Sequence, residues 1–322
     1  MQRDAKAGRA ERRLARAVEA LPPARYLLAV SGGRDSMALL DACSRWSRNV
    51  AGVATFDHGT GEAATRAAVL VRDEAARRGL DVHLGRRTAA GPASEAAWRS
   101  DRWSFLREVA SSLEATIVTA HTLDDQVETV VIRALRDAKH TGARGLAAMY
   151  ARSGDSPIAR PLLHVSRNDV GLYVAARAVA YVEDPSNGSR AFLRNRIRLD
   201  LLPALEREAP GFSKAMLGLA NRAARWRAEI DAIVDDLGAT RLSRGTLVVP
   251  AHELRRFDPA CLAVLWPALA DRVGVVLDRR GTERLVAFTT RARPAGRVPL
   301  SGGARVECTG GTFVLTASSV RE

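Results

Sequence analysis

Five apolar residues, Tyr26 to Val30, run directly into Ser31-Gly32-Gly33-Arg34-Asp35-Ser36, and an amphipathic stretch from Asp35 to Trp46 follows at once. An unbroken apolar run of this length suits a strand buried on both faces of a parallel sheet. Parallel strands need crossover helices, so this single junction points the chain to an α/β architecture. Gly32 and Gly33 let the backbone come close to an anion, while the amides that open the next helix and its dipole face that anion. Ser31 and Ser36 add hydroxyl donors and Arg34 adds charge. Asp35 is out of place beside a phosphate unless a cation bridges the two, and a nucleotide carrying Mg²⁺ resolves the conflict.

The first half of the chain repeats the alternation. Strands are expected at Val50 to Phe56, Leu80 to Leu84 and Ala115 to Ala120. Helices are expected at Glu62 to Arg78, Ser94 to Ser111 with Ser94 as cap, and Asp124 to Leu135. Short β-branched runs separated by 3.6-periodic stretches are the pattern of βαβ units. Asp124 and Asp125 open the last of these helices, where the macrodipole favours acids, and Asp124 reads as its cap. Beyond it the pattern weakens. Ile158 to Leu163 is expected as a last strand, Ser166 to Val179 as a helix, Phe212 to Leu237 as one long helix, and Val249 to Phe288 as short helices. The tail from Arg297 to Thr316 breaks at Gly302-Gly303 and Gly310-Gly311 into the paired runs of small hairpins. The expected fold class is α/β: a Rossmann-like, mostly parallel sheet with helices on both faces over residues 1–210. A helical linker over 211–240 and a smaller C-terminal α+β domain over 241–322 follow it.

Composition narrows the class further. With 47% hydrophobic and 26% charged residues among 322, the chain is of globular type. The longest stretch without a charge, the thirteen residues Cys308 to Val320, falls short of the ~20 that a membrane helix needs. MQRDAKAGRAERRLARAVEALPP mixes acids with bases and has no apolar signal core, so a cytoplasmic address and no membrane partner are expected. Cys43, Cys261 and Cys308 are far apart and form no CxxC. Neither GxxxxGK[ST] nor GxGxxG occurs, which argues against a kinase-type P-loop and a dinucleotide fold. Lysine and arginine number 49 against 36 acids, a formal net charge of +13 that favours a polyanionic partner such as nucleic acid. Nine of the bases, against three acids, lie between Arg190 and Arg227. The five tryptophans fall on expected helices and read as core.

Ser31 to Ser36 match SGGxDS, the motif of the PP-loop ATP pyrophosphatases, whose adenylating members break ATP between its α and β phosphates. Further along, TAHTLDDQVETVVIRALR (Thr119 to Arg136) resembles the TAHHxDDQxET segment of the tRNA(Ile)-lysidine synthetases. Phe56-Asp57-His58-Gly59 is similar to that family's VDHG strand end, and SEAAWRSDRWSFL (Ser94 to Leu106) to its ARxxRY helix. RPLL (Arg160 to Leu163), EDPSN (Glu183 to Asn187) and RNRIRxxLLP (Arg194 to Pro203) follow in the family's order, so the resemblance covers about residues 24 to 205. Three departures stand out. Thr122 replaces a second histidine, Thr60-Gly61 replaces the usual Leu-Arg, and the turn from Arg136 to Leu146 is longer and poorer in glycine at its start.

The resemblance implies ligation of free L-lysine to carbon 2 of the wobble cytidine in the CAU anticodon of tRNA(Ile), through an adenylated cytidine, with release of pyrophosphate and AMP. It implies ATP as substrate and Mg²⁺ as cofactor. The ATP site would comprise Ser31, Gly32, Gly33, Arg34, Asp35, Ser36, Asp57 and His58. Asp35 and Asp125, at the carboxyl ends of strands, would hold the metal, since an open α/β sheet places its ligands there. Glu128, one helical turn after Asp125, suits the lysine ammonium as ligand or proton acceptor. Asp35, Asp125 and Glu128 form the catalytic set. Arg99, Arg102, Asn195, Arg196 and Arg198 are candidates for binding lysine, ATP phosphates or the RNA. His121 and Asp184 are further candidates, and for His58 and His121 a hydrogen-bonded structural role explains the residue as well as a catalytic one. The C-terminal region would grip tRNA.

Other readings share the phosphate loop. A PP-loop tRNA thiolase needs catalytic cysteines or a cysteine-held cluster, and no suitable pair is present in the sequence. A non-catalytic RNA-binding protein would have no need to keep Asp35, Asp125 and Glu128. A small-molecule adenylating ligase would have no evident use for +13.

Overall fold

The computed structural model describes residues 2–47, 49–59, 61–87, 95–137, 152–153, 158–243, 245–291 and 296–318. Ser94, Thr60 and most of the turn from 136 to 146, all singled out above, lie outside them. The chain divides into two compact units, residues 1–132 with 149–217, and residues 133–148 with 218–322. Among the described residues no helix is long and apolar enough to cross a membrane.

The first unit is the α/β sandwich that the opening junction demands. Its strands are β1 (Tyr26–Ala29), β2 (Val50–Asp57), β3 (Val82–Arg86), β4 (Thr116–Val118), β5 (Arg152–Ser153) and β6 (Ile158–Ala159), in the order β3-β2-β1-β4-β6-β5. All neighbours are parallel except β5 against β6. Tyr26 is level with Val50 on one side and with Thr116 on the other, so β1 lies at the centre, and Tyr26, Leu27 and Leu28 are buried. The chain first winds outward from β1 through β2 to β3, then returns to β4 on the other flank. That reversal opens a crevice beyond the carboxyl ends of β1 and β4, the place where an open parallel sheet accepts ligands.

Helices α1 (Gln2–Glu19), α2 (Arg34–Trp46), α3 (Glu62–Arg77), α4 (Glu95–Ser112), α5 (Leu123–Asp137) and α6 (Arg167–Arg177) cover the sheet. Helix α1 has no counterpart among the elements expected from sequence. Its buried Ala10, Leu14 and Val18 are spaced by four and pack into the core cluster that holds Met37, Tyr173 and Val174. The strand expected at Ile158 to Leu163 stops at Ala159, because Pro161 starts a 3-10 turn over Pro161–His164. The basic segment forms α7, which begins at Leu193–Arg196, widens into a π-turn at Ile197–Leu201 and ends with Leu202–Glu208. Pro203, with no amide to donate and a ring that crowds the preceding turn, lies just past the widening. Ile197 packs with Val127 and Val131 of α5, which ties α7 to the helix that carries Asp125.

Helix α8 (Phe212–Asp236), which belongs to the second unit from Gly218 onward, leads into β7 (Thr240–Ser243) and β8 (Thr246–Pro250). Helices α9 (Ala251–Leu254), α10 (Pro259–Asp271) and α11 (Arg279–Thr289) come next, then β9 (Gly296–Pro299), β10 (Arg305–Thr309) and β11 (Thr312–Thr316). The strands make an antiparallel sheet in the order β7-β8-β11-β10-β9. The Gly310-Gly311 hairpin is as expected, while the β7–β8 hairpin was missed because TRLS is polar and wholly exposed. Trp266 is fully buried against Phe313 and donates its indole N–H to Thr289 at 2.9 Å. Trp226 departs from the core expectation, being 38% exposed on α8.

One buried polar knot holds three helical layers of the first unit together. Asp41 on α2, 3% exposed, accepts from the Tyr173 hydroxyl on α6 at 2.5 Å, from Arg45 at 3.0 Å and from Arg78, past the end of α3, at 3.0 Å. Removing it strands the phenol and the Arg45 guanidinium and leaves Arg78 with Glu74 alone. We expect Asp41→Ala to destabilise the protein by about 3 kcal/mol in urea unfolding, with Tyr173→Phe costing less, since it leaves both arginines paired.

Candidate active site

Three helices begin at the crevice, α2 after β1, α5 after β4 and α6 after β6, so their first-turn side chains meet there. The phosphate loop is fixed by its own atoms. Ser36 Oγ donates to the Gly33 carbonyl at 2.9 Å and accepts from the Ser31 amide at 3.1 Å, and the two serine hydroxyls lie 3.2 Å apart. Gly32 has φ +79°, and a Cβ there would stand 2.7 Å from Ala67 Cβ and 2.8 Å from the Ala67 carbonyl oxygen on α3. Both conformation and space therefore require glycine. Gly33 caps α2 with no side chain, which leaves the opening amides of that helix pointing into the crevice.

Asp35, Asp125 and Glu128 do come together, and two arginines join them. Arg167, the first residue of α6, donates Nη1 to Glu128 Oε1 at 2.9 Å and Nη2 to Asp125 Oδ1 at 3.0 Å, while its Nε lies 3.6 Å from Asp35 Oδ2. Arg194, on α7, donates Nε to the other Glu128 oxygen at 2.8 Å and lies 3.6 Å from Asp125 Oδ1. Arg34 Nε donates to Asp35 Oδ1 at 3.2 Å. Burial pushes the Asp35 carboxyl up, against the pull of Arg34 and Arg167. Burial would raise Asp125 too, but the Thr122 amide and the charges of Arg167 and Arg194 outweigh it and hold its carboxyl low.

Thr122, the departure from the family pattern, has a visible task. Its amide and hydroxyl both donate to Asp125 Oδ2, at 2.8 and 2.9 Å, and its Oγ1 in turn receives the Asp125 amide at 3.4 Å. This is a capping box, and it makes Thr122 the cap of α5 in place of Asp124. The carboxylate of Asp124 is used elsewhere, accepting from the Arg167 amide at 2.7 Å. Ser166 caps α6 by accepting from the Asp169 amide at 3.1 Å.

Around this knot the residues are mostly basic or aromatic. Burial lowers the pKa of Arg102 and of Arg160, and the neighbouring charge of Arg99 adds to both shifts. His121 accepts or donates at Nδ1 with Thr119 Oγ1, 2.8 Å away, and burial among Arg160, Arg194 and Arg99 lowers it to about 4, so it is neutral at pH 7. His58 packs edge-on to Phe56 at 5.0 Å and 6.3 Å from the Trp98 ring, with its Nδ1 buried and unpartnered. Burial, helped by Arg102, lowers its pKa as well. Asp57 closes its own strand end, accepting from the Gly59 amide at 2.8 Å.

Asp184, Asn195, Arg196 and Arg198 do not reach the knot. Asp184 is exposed and caps a short 3-10 turn through the Ser186 amide at 2.8 Å. Asn195 is buried, and its amide group donates to the carbonyls of Ser186 and Ser189, each at 2.8 Å, so it clamps the loop before α7. Arg198 donates to the Asn187 carbonyl at 2.7 Å and Arg196 to the Arg190 carbonyl at 3.1 Å. Sequence reasoning passed over Arg167 and left Arg194 out of the site. Two signals were available: an arginine directly after a capping serine is unusual at a positive helix end, and Arg194 opens the RNRIR motif.

Asp35 and Asp125 contact the same guanidinium, so their oxygens face a common point already suited to positive charge. Two carboxylates of this kind fit Mg²⁺, which prefers hard oxygen ligands and completes its shell with water and substrate phosphates. Among the described residues no group of three or more His, Cys, Asp or Glu is arranged to hold a metal by itself.

A family model described as a PP-loop domain matches residues 7–205. The chain is 33% identical to the tRNA(Ile)-lysidine synthase of Parasynechococcus marenigrum, across 95% of this chain and 93% of that protein. It is 36% identical to that of Salinispora tropica, across 90% of each. A solved structure, the U34-tRNA thiolase NcsA from Methanococcus maripaludis with its [4Fe-4S] cluster, superposes with a TM-score of 0.53 at 13% identity, over 69% of this chain and 80% of that one. At that identity the likeness concerns the fold alone.

Two measurements check the site. Gly32→Ala should cost about 1–3 kcal/mol of stability in urea unfolding from backbone strain and crowding against Ala67, whereas Gly59→Ala, which meets nothing within 4 Å, should suffer only the strain. His121 is held neutral in the folded chain, so its contribution is complete above pH 6.5 and is lost as pH falls toward 4. Against a His121→Gln reference in metal-free buffer, the wild type should lose about 3 kcal/mol over that interval.

Proposed function

The chain belongs to the tRNA(Ile)-lysidine synthase family of PP-loop proteins, and on that premise we propose that it ligates free L-lysine to carbon 2 of the wobble cytidine in the CAU anticodon of tRNA(Ile). The observation that carries the reading is the meeting, in one crevice, of the SGGRDS loop with Asp35, Asp125 and Glu128. ATP is the co-substrate. The pyrimidine oxygen at carbon 2 attacks the α phosphorus, and the bond to the β phosphate breaks to release pyrophosphate. The lysine ε-amine then attacks carbon 2, the carbon–oxygen bond breaks, and AMP leaves.

Each part of the site has a task in this scheme. The opening amides of α2, with Ser31 and Ser36, receive phosphate oxygens at the positive end of the helix dipole. Asp35 and Asp125 would hold Mg²⁺, which when bound neutralises phosphate charge. Arg102, half-buried with the charge of Arg99 near enough to disfavour its own, is suited together with Arg99 to an incoming phosphate. Glu128 orients the lysine ammonium and takes the proton that the amine must lose before it attacks. Arg196, exposed on α7, and Arg198, half-buried there, contribute to the tRNA backbone footprint, as does the C-terminal domain over 241–322. A cytoplasmic site of action follows from the substrate.

Sulfur delivery is the alternative within the same fold. It would need an accessible reactive cysteine near the crevice. Cys43 is buried on α2 with its thiol pushed up to about 12, and Cys261 and Cys308 belong to the second unit. With ATP, Mg²⁺ and a CAU-anticodon isoleucine tRNA transcript, we expect labelled lysine to enter the RNA and AMP to form. Asp35→Ala and Asp125→Ala should each reduce incorporation by at least about a hundredfold while the far-UV spectrum is retained. ADP as product, or sulfur labelling in place of lysine, would contradict the assignment.

A further inference from the structure

The seat proposed for the lysine ammonium is already filled. Glu128 is 1% exposed, and both of its oxygens are taken, Oε1 by Arg167 Nη1 at 2.9 Å and Oε2 by Arg194 Nε at 2.8 Å. Asp125 Oδ1 receives Arg167 Nη2 at 3.0 Å, and Oδ2 receives the amide and hydroxyl of Thr122. A lysine ammonium brings three N–H donors and needs acceptors for them. The carboxylates are paired as well. Asp35, Asp125 and Glu128 each contact an arginine, so another cation would have to displace a guanidinium to reach them.

Resting on the lysine role given to Glu128, we propose that Arg167 is a gating and positioning residue whose guanidinium stands in for the substrate ammonium and admits lysine only after nucleotide phosphates have drawn it away. Arg167 is pinned at its amide by Asp124, at 2.7 Å, so its long side chain can turn about a fixed root. The same guanidinium that touches Glu128 comes within 3.6 Å of Asp35, in the first turn of the helix behind the phosphate loop, and so spans the two subsites. Guanidinium–phosphate pairs are strong and often bidentate, which gives Arg167 a better partner once a polyphosphate is seated. Its departure frees Glu128 Oε1 for the ammonium and Asp125 Oδ1 for the metal together, while Arg194 still orients Glu128 from the other side. Nucleotide and lysine then bind with positive coupling, and the coupling is the same viewed from either ligand.

The test is calorimetric titration of L-lysine into the full chain in magnesium buffer, with and without α,β-methylene-ATP. We expect lysine to bind about tenfold or more tightly in the presence of the analogue, and the analogue to gain by the same factor from lysine. Arg167→Gln should bind lysine without nucleotide as tightly as the wild type does with it, leaving coupling within about twofold of none. Arg167→Lys, which returns a cation to the seat, should restore the coupling. Equal lysine affinity of the wild type in both states, or coupling undiminished in Arg167→Gln, overturns the gate. The wild-type comparison stands alone if a variant folds poorly. Lysine incorporation into tRNA without coupling removes the gate and leaves the family reading intact, whereas no lysine binding in any state sinks both.

Discussion

Carboxylates crowded into a half-buried crevice repel one another, and an arginine at the start of a helix opposes the helix dipole. The first unit sets these two unfavourable arrangements against each other. Arg167 begins α6 at its positive end, yet Asp35, Asp125 and Glu128 surround its guanidinium and Asp124 receives its amide. The result ties the helices after β1, β4 and β6 to one point, although the three strands are short and the last contributes only Ile158–Ala159. Burial raises the Arg167 environment's demand for counter-charge, and Glu128 and Asp125 meet it by keeping the guanidinium firmly protonated.

The strand–loop–helix junction at Tyr26 to Ser36 was legible because its physics is local: a buried apolar run, two glycines and a helix start. The same holds for α5, whose two opening acids and 3.6-periodic valines announce it. Long-range pairing was not legible. Nothing in the neighbourhood of Arg167 says that it will meet residues 39 and 42 positions away, and nothing near Asn195 says that it will hold the carbonyls of Ser186 and Ser189. Helix α1 escaped notice because its apolar face is only Ala10, Leu14 and Val18 amid many charges. The hairpin of β7 and β8 escaped because one of its strands shows no alternation at all.

Thr122 illustrates how a departure from a family pattern can be read structurally. A histidine at that position would offer a ring nitrogen near the strand end. Threonine instead adds a hydroxyl to the backbone amide, and the pair fixes one oxygen of Asp125 and caps α5. Only the other oxygen faces the crevice, so the orientation of that carboxylate is settled before any ligand arrives.

The Gly32 carbonyl is not idle at the back of the phosphate loop, since it accepts a hydrogen bond from the Val182 amide at 2.9 Å. Val182 belongs to the segment that runs on through the short turn at Pro185–Gly188, and Asn195 grips that turn from α7. The loop, the turn and the π-widened helix are therefore links of one chain of contacts. That chain leads, through hydrogen bonds and covalent links alone, from the glycines where phosphates would rest to the arginine-lined helix where a polynucleotide would lie.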